Sequence, residues 1–342
     1  MKALVFEGPW QMPLRERPDP AAAAGEVVVA VRAAGICGSD VHGFIGASGR
    51  RVPGVVMGHE ASGVVALVGD GVAGAKAGDR VALRSVLACG TCESCAAGRP
   101  NICLRRRGLG MHLDGAYADC VVVPEALISR LPDAVSFEQG ALVEPLAVAR
   151  HAVAITPLER GASVVVIGAG AIGLLTLLAA RAGGAGRVVI TDRSAHRLDV
   201  ARSLGADVAV DVTDGDPVAS ILEAVGGSGA DAVFEAVGST GTVGQSLGAV
   251  RPGGHVTWIG NADPRVELAM QELVTKEVTI RGSYAYGTDA EFDAAAEAIA
   301  DGRIDVRPLI EQTAPLSEGP EVFRKLGEAR IAAVKVVLTP GS

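Results

Sequence analysis

The chain has 342 residues, of which 49% are hydrophobic, 20% charged and 3% aromatic, and its formal net charge is −8. That length predicts two domains, and that composition builds cores from Val, Ala, Leu and Ile, which excludes a disordered chain. The acidic balance excludes nucleic-acid and anionic-membrane binders, and no apolar run is long enough to span a bilayer.

An acid at Glu7 interrupts any signal-peptide core, so a soluble cytoplasmic protein is expected. Six cysteines in such a chain read as metal ligands or buried thiols, not disulfides. The one basic cluster, Arg105-Arg106-Arg107, reads as a solvated loop.

In chain order, residues 1–90 look β-rich. Val27-Val28-Val29-Ala30-Val31 and residues 61–68 are short β-branched runs punctuated by glycine, and Gly78-Asp79-Arg80-Val81 is a turn entering another strand. Residues 88–112 are polar, glycine-bearing and cysteine-rich, which suggests an excursion held by a metal. Strand character returns at 117–123. Helical patterning starts near Ser136 and runs through Glu144-Pro145, where the proline sits in a first turn or makes a kink. From Ser163 strands alternate with helices: strands at 164–167, 187–191, 208–210, 232–234 and 255–259, helices at 174–182 and 194–204. This rhythm predicts a doubly wound parallel sheet, an α/β class. After Gly282 the rhythm stops. A helix at 291–300 and a closing strand at 333–338 are expected to fold back onto the first domain.

The chemistry gathers first at Cys37 and Gly58-His59-Glu60. Thiol, imidazole and carboxylate form the donor set of a zinc ion, with Glu144 as a fourth candidate. Ser39 and His42 follow closely enough to carry a proton away from the metal. Glu60 has a second reading as a carboxylate that orients His59, and Glu144 as a cap on its own helix. Which of the two touches the metal at rest stays open. Cys89, Cys92, Cys95 and Cys103 give C-x2-C-x2-C-x7-C, four thiolates that can close a structural zinc site, with an iron–sulfur cluster or redox pair as the alternative. Cys120 reads as a buried strand residue; His112, Asp114 and His151 read as structural.

Gly168-Ala169-Gly170-Ala171-Ile172-Gly173 is G-x-G-x-x-G between an apolar strand and an apolar helix, the context in which that motif binds a dinucleotide pyrophosphate. Asp192 ends the next strand, where a carboxylate accepts ribose hydroxyls and repels a 2′-phosphate, so NAD is expected over NADP. Arg193, adjacent, pulls the other way. The candidate cofactor contacts are Gly168, Gly170, Ile172, Gly173, Asp192, Arg193, Arg197, Val237, Gly238, Ile259 and Gly260.

Together these motifs resemble the zinc-dependent medium-chain dehydrogenase/reductase superfamily, and within it the sorbitol dehydrogenase-like branch. Gly58-His59-Glu60-Ala61-Ser62-Gly63 is similar to the zinc signature, Cys37-Gly38-Ser39-Asp40-Val41-His42 to the catalytic-cysteine segment, and Leu142-Val143-Glu144-Pro145-Leu146 to the segment that supplies a carboxylate in sorbitol dehydrogenase-like members. Ethanol-type members carry a cysteine there.

The resemblance implies a GroES-like domain over 1–148 with a zinc lobe at 88–104, a Rossmann domain over 149–284 and a return at 285–342. It also implies two zincs per chain, NAD, a homotetramer (a dimer being the alternative) and oxidation of a secondary alcohol to a ketone. Phe44, Ile45, Tyr284 and Tyr286 are the candidate substrate-pocket residues. Polyol members often pair an arginine with the tyrosine; here Ala285 stands in the arginine's place, which favours a smaller or less hydroxylated alcohol than sorbitol. Alternatives are a threonine 3-dehydrogenase-like or sugar-phosphate dehydrogenase and, in another class, a non-catalytic nucleotide-binding redox sensor.

Overall fold

The structure, a computed structural model, describes residues 1–341. The chain divides into two compact units, one made of Met1–Glu144 with the segment from Gly287 onward, the other of Pro145–Tyr286. Among the described residues no helix is long and apolar enough to cross a membrane.

The first unit is built on a seven-stranded sheet. Its central strand, Glu26–Gly35, pairs antiparallel with Glu60–Val68, with Cys120–Pro124 and with the closing strand Lys335–Thr339. Valines at 27, 28, 29 and 31 are buried, as suits β-branched residues on a pleated surface covered by a core. Register is what matters for chemistry. Gly35 lies opposite Glu60 on one side and Val337 on the other. The end of the central strand, just before Cys37, is therefore flanked by the first residue of Glu60–Val68 and by the middle of Lys335–Thr339. The strand expected at 117–123 begins at Cys120 instead. A short helix, Gly38–Phe44, follows Cys37, which had no helical signal.

Four aromatic rings in this unit pack together. Phe44 meets Trp10 at 5.4 Å and Phe323 at 5.6 Å between ring centroids, and Tyr117 meets Phe323 at 5.3 Å. Phe44 is 2% exposed and Ile45 packs against the same cluster. Both were expected in a substrate pocket. The face of the helix Gly38–Phe44 that carries Phe44 covers Phe323 of the helix Gly319–Gly327, and Ile45, just past the helix end, is half-buried.

The second unit is a six-stranded, all-parallel sheet. Its order is Val208–Asp211, Arg187–Asp192, Ser163–Ile167, Ala230–Glu235, Val250–Trp258, Thr279–Gly282. The order reverses at Ser163–Ile167, so its carboxyl end is the switch point where doubly wound sheets bind ligands, and Gly168 begins there. The following helix spans Ala171–Ala182, three residues longer at its start than its apolar pattern suggests. Ser194 caps the next helix, accepting from the Arg197 amide.

Phe323 is fully buried between two aromatic partners. Phe323→Ala is expected to cost about 3–5 kcal/mol, read as a lowered denaturation midpoint; a loss under about 1 kcal/mol would contradict this packing.

Candidate metal centres and dinucleotide site

Cys37, His59 and Glu60 converge, their ligand atoms all within 4.8 Å of one another. The approach of Glu60 requires Gly35, since a Cβ there would lie 2.5 Å from Glu60 Oε2. The carboxylate does not stand alone. The Lys335 ammonium donates to Glu60 Oε2 at 2.7 Å and Oε1 at 3.0 Å, and to the Ile36 carbonyl at 3.0 Å. Both side chains are buried, at 1% and 2% exposure. Burial alone would lower the Lys335 pKa, but the Glu60 charge raises it above the ordinary range.

On the other side of the group, His59 Nδ1 faces Asp40 Oδ2 at 3.3 Å. Asp40 is fully buried. Its carboxylate accepts from Arg51 Nη2 at 2.7 Å and from the Tyr117 hydroxyl at 2.8 Å. Burial would push Asp40 up, yet His59 and the Arg51 guanidinium hold it well below the usual carboxylate range. Burial would likewise lower His59, and Asp40 and Cys37 raise it far above its ordinary value. A carboxylate behind an imidazole fixes the ring's orientation and makes its outer nitrogen a better donor to a metal.

Glu144 is not among the ligand atoms that converge within 4.8 Å. It accepts from the Ser85 hydroxyl at 2.6 Å, and burial raises its pKa against the opposing pull of His59. Ser39 is exposed and donates to Cys37 Sγ at 3.3 Å; His42, also exposed, lies one helical turn further along. Tyr284 is 42% exposed and Tyr286 4%.

The four lobe cysteines also converge, with Sγ–Sγ separations of 3.5 Å for Cys92–Cys95, 3.7 Å for Cys92–Cys103 and 4.0 Å for Cys89–Cys95. Four thiolates about 2.3 Å from one zinc stand about 3.8 Å apart, so these separations fit a closed tetrahedral site. The arginine run beside the lobe folds back onto it: Arg105 donates to Thr91 Oγ1, and Arg106 to the Cys103 carbonyl.

In the second unit, Gly168 has φ +94°, and a Cβ on Gly173 would lie 1.7 Å from the Gly168 carbonyl oxygen, so helix and turn touch directly. A Cβ on Gly170 would meet nothing, which leaves that backbone open to a pyrophosphate. Asp192 Oδ2 accepts from the Ala169 amide and Oδ1 from the Ser194 amide, both within 2.9 Å, and Arg197 Nη1 stands 3.9 Å from Oδ2. Arg193 is exposed and Ile172 half-buried. Val237-Gly238 and Ile259-Gly260 follow the ends of the next two strands. These residues fit a dinucleotide.

Asp40, Arg51, Tyr117, Ser85 and Lys335 were not singled out from sequence. One signal was present: Lys335 is a lone charge in an apolar strand, and a buried lysine needs a partner.

The alcohol dehydrogenase GroES-like domain family matches residues 23–133, and the zinc-binding dehydrogenase family matches 171–301. The protein named Probable D-xylulose reductase A from Aspergillus clavatus is 36% identical, over 95% of this chain and 93% of its own. A sorbitol dehydrogenase from Halalkalibacterium halodurans is 34% identical, over 99% of each. A solved structure described as a zinc-binding dehydrogenase from Sinorhizobium meliloti 1021, bound to NADP, superposes with TM-score 0.93 at 33% identity, over 99% of each chain.

Removing one partner of a buried pair strands the other's charge. Lys335→Met is expected to cost about 3–5 kcal/mol by denaturant titration, and the double change with Glu60→Gln to recover most of it. Equal losses in single and double variants would contradict the pairing.

Proposed function

The chain belongs to the zinc-dependent medium-chain alcohol and polyol dehydrogenase superfamily, and on that premise we propose that it oxidises a secondary hydroxyl of a polyol, diol, cyclitol or sugar derivative to a ketone, with NAD as the acceptor. The observation that carries the reading is the convergence of Cys37, His59 and Glu60 in a chain that also holds the fingerprint turn. A redox sensor that keeps only the lobe zinc has no need of that convergence.

Zinc at Cys37, His59 and Glu60, when bound, supplies a Lewis acid that acidifies the substrate hydroxyl, and the dinucleotide supplies the two-electron acceptor. The chain's residues do the rest. Asp40 and its Arg51 and Tyr117 partners hold His59 in one orientation. Ser39 would accept the hydroxyl proton as it releases its own towards a cofactor ribose hydroxyl, and His42, exposed one turn away, would deliver a proton to solvent. Glu144, which accepts from Ser85, is a second carboxylate that would hold the metal in place of Glu60 or accept from a neighbouring substrate hydroxyl. Cys89, Cys92, Cys95 and Cys103 hold a second, structural zinc. Polyols are favoured because Glu144 occupies the place of the ethanol-type cysteine and because the two named relatives are a sorbitol dehydrogenase and a xylulose reductase. Ala285 favours the smaller members of the class. The protein is read as cytoplasmic and homotetrameric.

One observation favours NADP as a second acceptor. Both Asp192 oxygens already accept main-chain amides, Arg197 pairs with one of them, and the Sinorhizobium relative carries NADP.

Two variants and one panel check these roles. Cys37→Ser is expected to abolish turnover and leave NADH binding intact; retained turnover would remove Cys37 from the site. Asp192→Ala is expected to raise the NADP-to-NAD ratio of kcat/KM about tenfold or more, and an unchanged ratio would remove Asp192 from cofactor choice. NADH absorbance over polyols, vicinal diols, cyclitols, 3-hydroxy amino acids and sugar phosphates identifies the class. Inactivity on all of them would revive the sensor.

A further inference from the structure

Glu235 is the last residue of the strand Ala230–Glu235 and is fully buried. Among the described residues no cation pairs with it. Its partners are main-chain amides: Oε1 accepts from Val237 and Gly238, each at 2.8 Å, and Oε2 from Gly238 at 3.0 Å. Its carbonyl oxygen accepts from Ile259 at 2.8 Å and Gly260 at 3.0 Å, beyond the end of the neighbouring strand. One residue therefore ties two loops, one through its side chain and one through its backbone.

The loops are also locked together. A Cβ on Gly238 would lie 2.3 Å from the Asn261 nitrogen, and one on Gly260 would lie 2.3 Å from the Gly238 nitrogen. Val237 in turn reaches the fingerprint turn, with its Cγ2 2.5 Å from where a Gly168 Cβ would stand. A buried carboxylate is costly, and an apolar residue would fill the space more cheaply. What the carboxylate adds is orientation of two particular amides.

We propose that Glu235 is a positioning residue for the dinucleotide: its carboxylate and carbonyl hold Val237-Gly238 and Ile259-Gly260 in their binding arrangement before the cofactor arrives. The inference rests on the dinucleotide reading above. A preformed wall spares the ordering that a mobile loop would undergo on binding, so the clamp acts on cofactor affinity and not on the chemical step.

Glu235→Gln keeps size and shape but turns one acceptor into a donor facing an amide N–H. In the zinc-loaded protein, the Kd for NADH by fluorescence titration is expected to rise about tenfold, with the KM for NAD rising in parallel, kcat at saturating NAD within about twofold and zinc content unchanged. An unchanged Kd, with wild-type binding intact, overturns the clamp alone. Wild-type protein that binds neither NADH nor NADPH overturns the dinucleotide reading and the clamp with it. A measurement on the unaltered chain covers a variant that fails to fold. Hydrogen exchange in the cofactor-free protein is expected to find the Val237 and Gly238 amides protected, and exchange as fast as an open loop overturns the proposal.

Discussion

A lysine buried to 2% exposure must be paired, and Lys335 finds its partners 275 positions earlier in the chain, at Glu60, and 299 earlier, at Ile36. Glu60 and the Ile36 carbonyl accept its hydrogen bonds. This one contact fixes several things at once. It requires the last strand to lie beside Glu26–Gly35, and the register Val337 to Gly35 puts it there. It requires a glycine at 35, because the carboxylate fills the space of a side chain. It also sets the charge available to a metal, since Glu60 is shared between an ammonium and the ligand group. The return of the chain to its first unit thus completes the centre as well as the sheet.

The two cysteine-bearing centres differ as their roles would demand. The lobe offers four thiolates and no other donor, a closed set. The Cys37 centre offers three different donors and is backed by two ionic networks. Asp40, Arg51 and Tyr117 stand behind His59, and Lys335 behind Glu60. Mixed donors in a supported, incomplete shell are suited to a metal that must also take substrate.

Legibility in the sequence followed separation along the chain. The lobe cysteines and the Gly168–Gly173 turn lie within short stretches, so spacing alone carries their geometry. Strand and helix texture gave the parallel sheet for the same reason, because each element states its own period. Supporting contacts were not legible. Tyr117 meets Asp40 across 77 positions and Ser85 meets Glu144 across 59, and no local pattern encodes such a meeting. For Phe44, a candidate for the substrate pocket, no local pattern fixes where the ring lies; its contact with Phe323 spans most of the chain.

The two donor sets would give zinc two different surroundings in one chain, and X-ray absorption at the zinc edge, with zinc counted in the same sample, reads both. Two zincs per chain are expected, sharing five sulfur ligands, four from the lobe and one from Cys37, the remainder being nitrogen and oxygen. A single zinc surrounded by sulfur alone would contradict it.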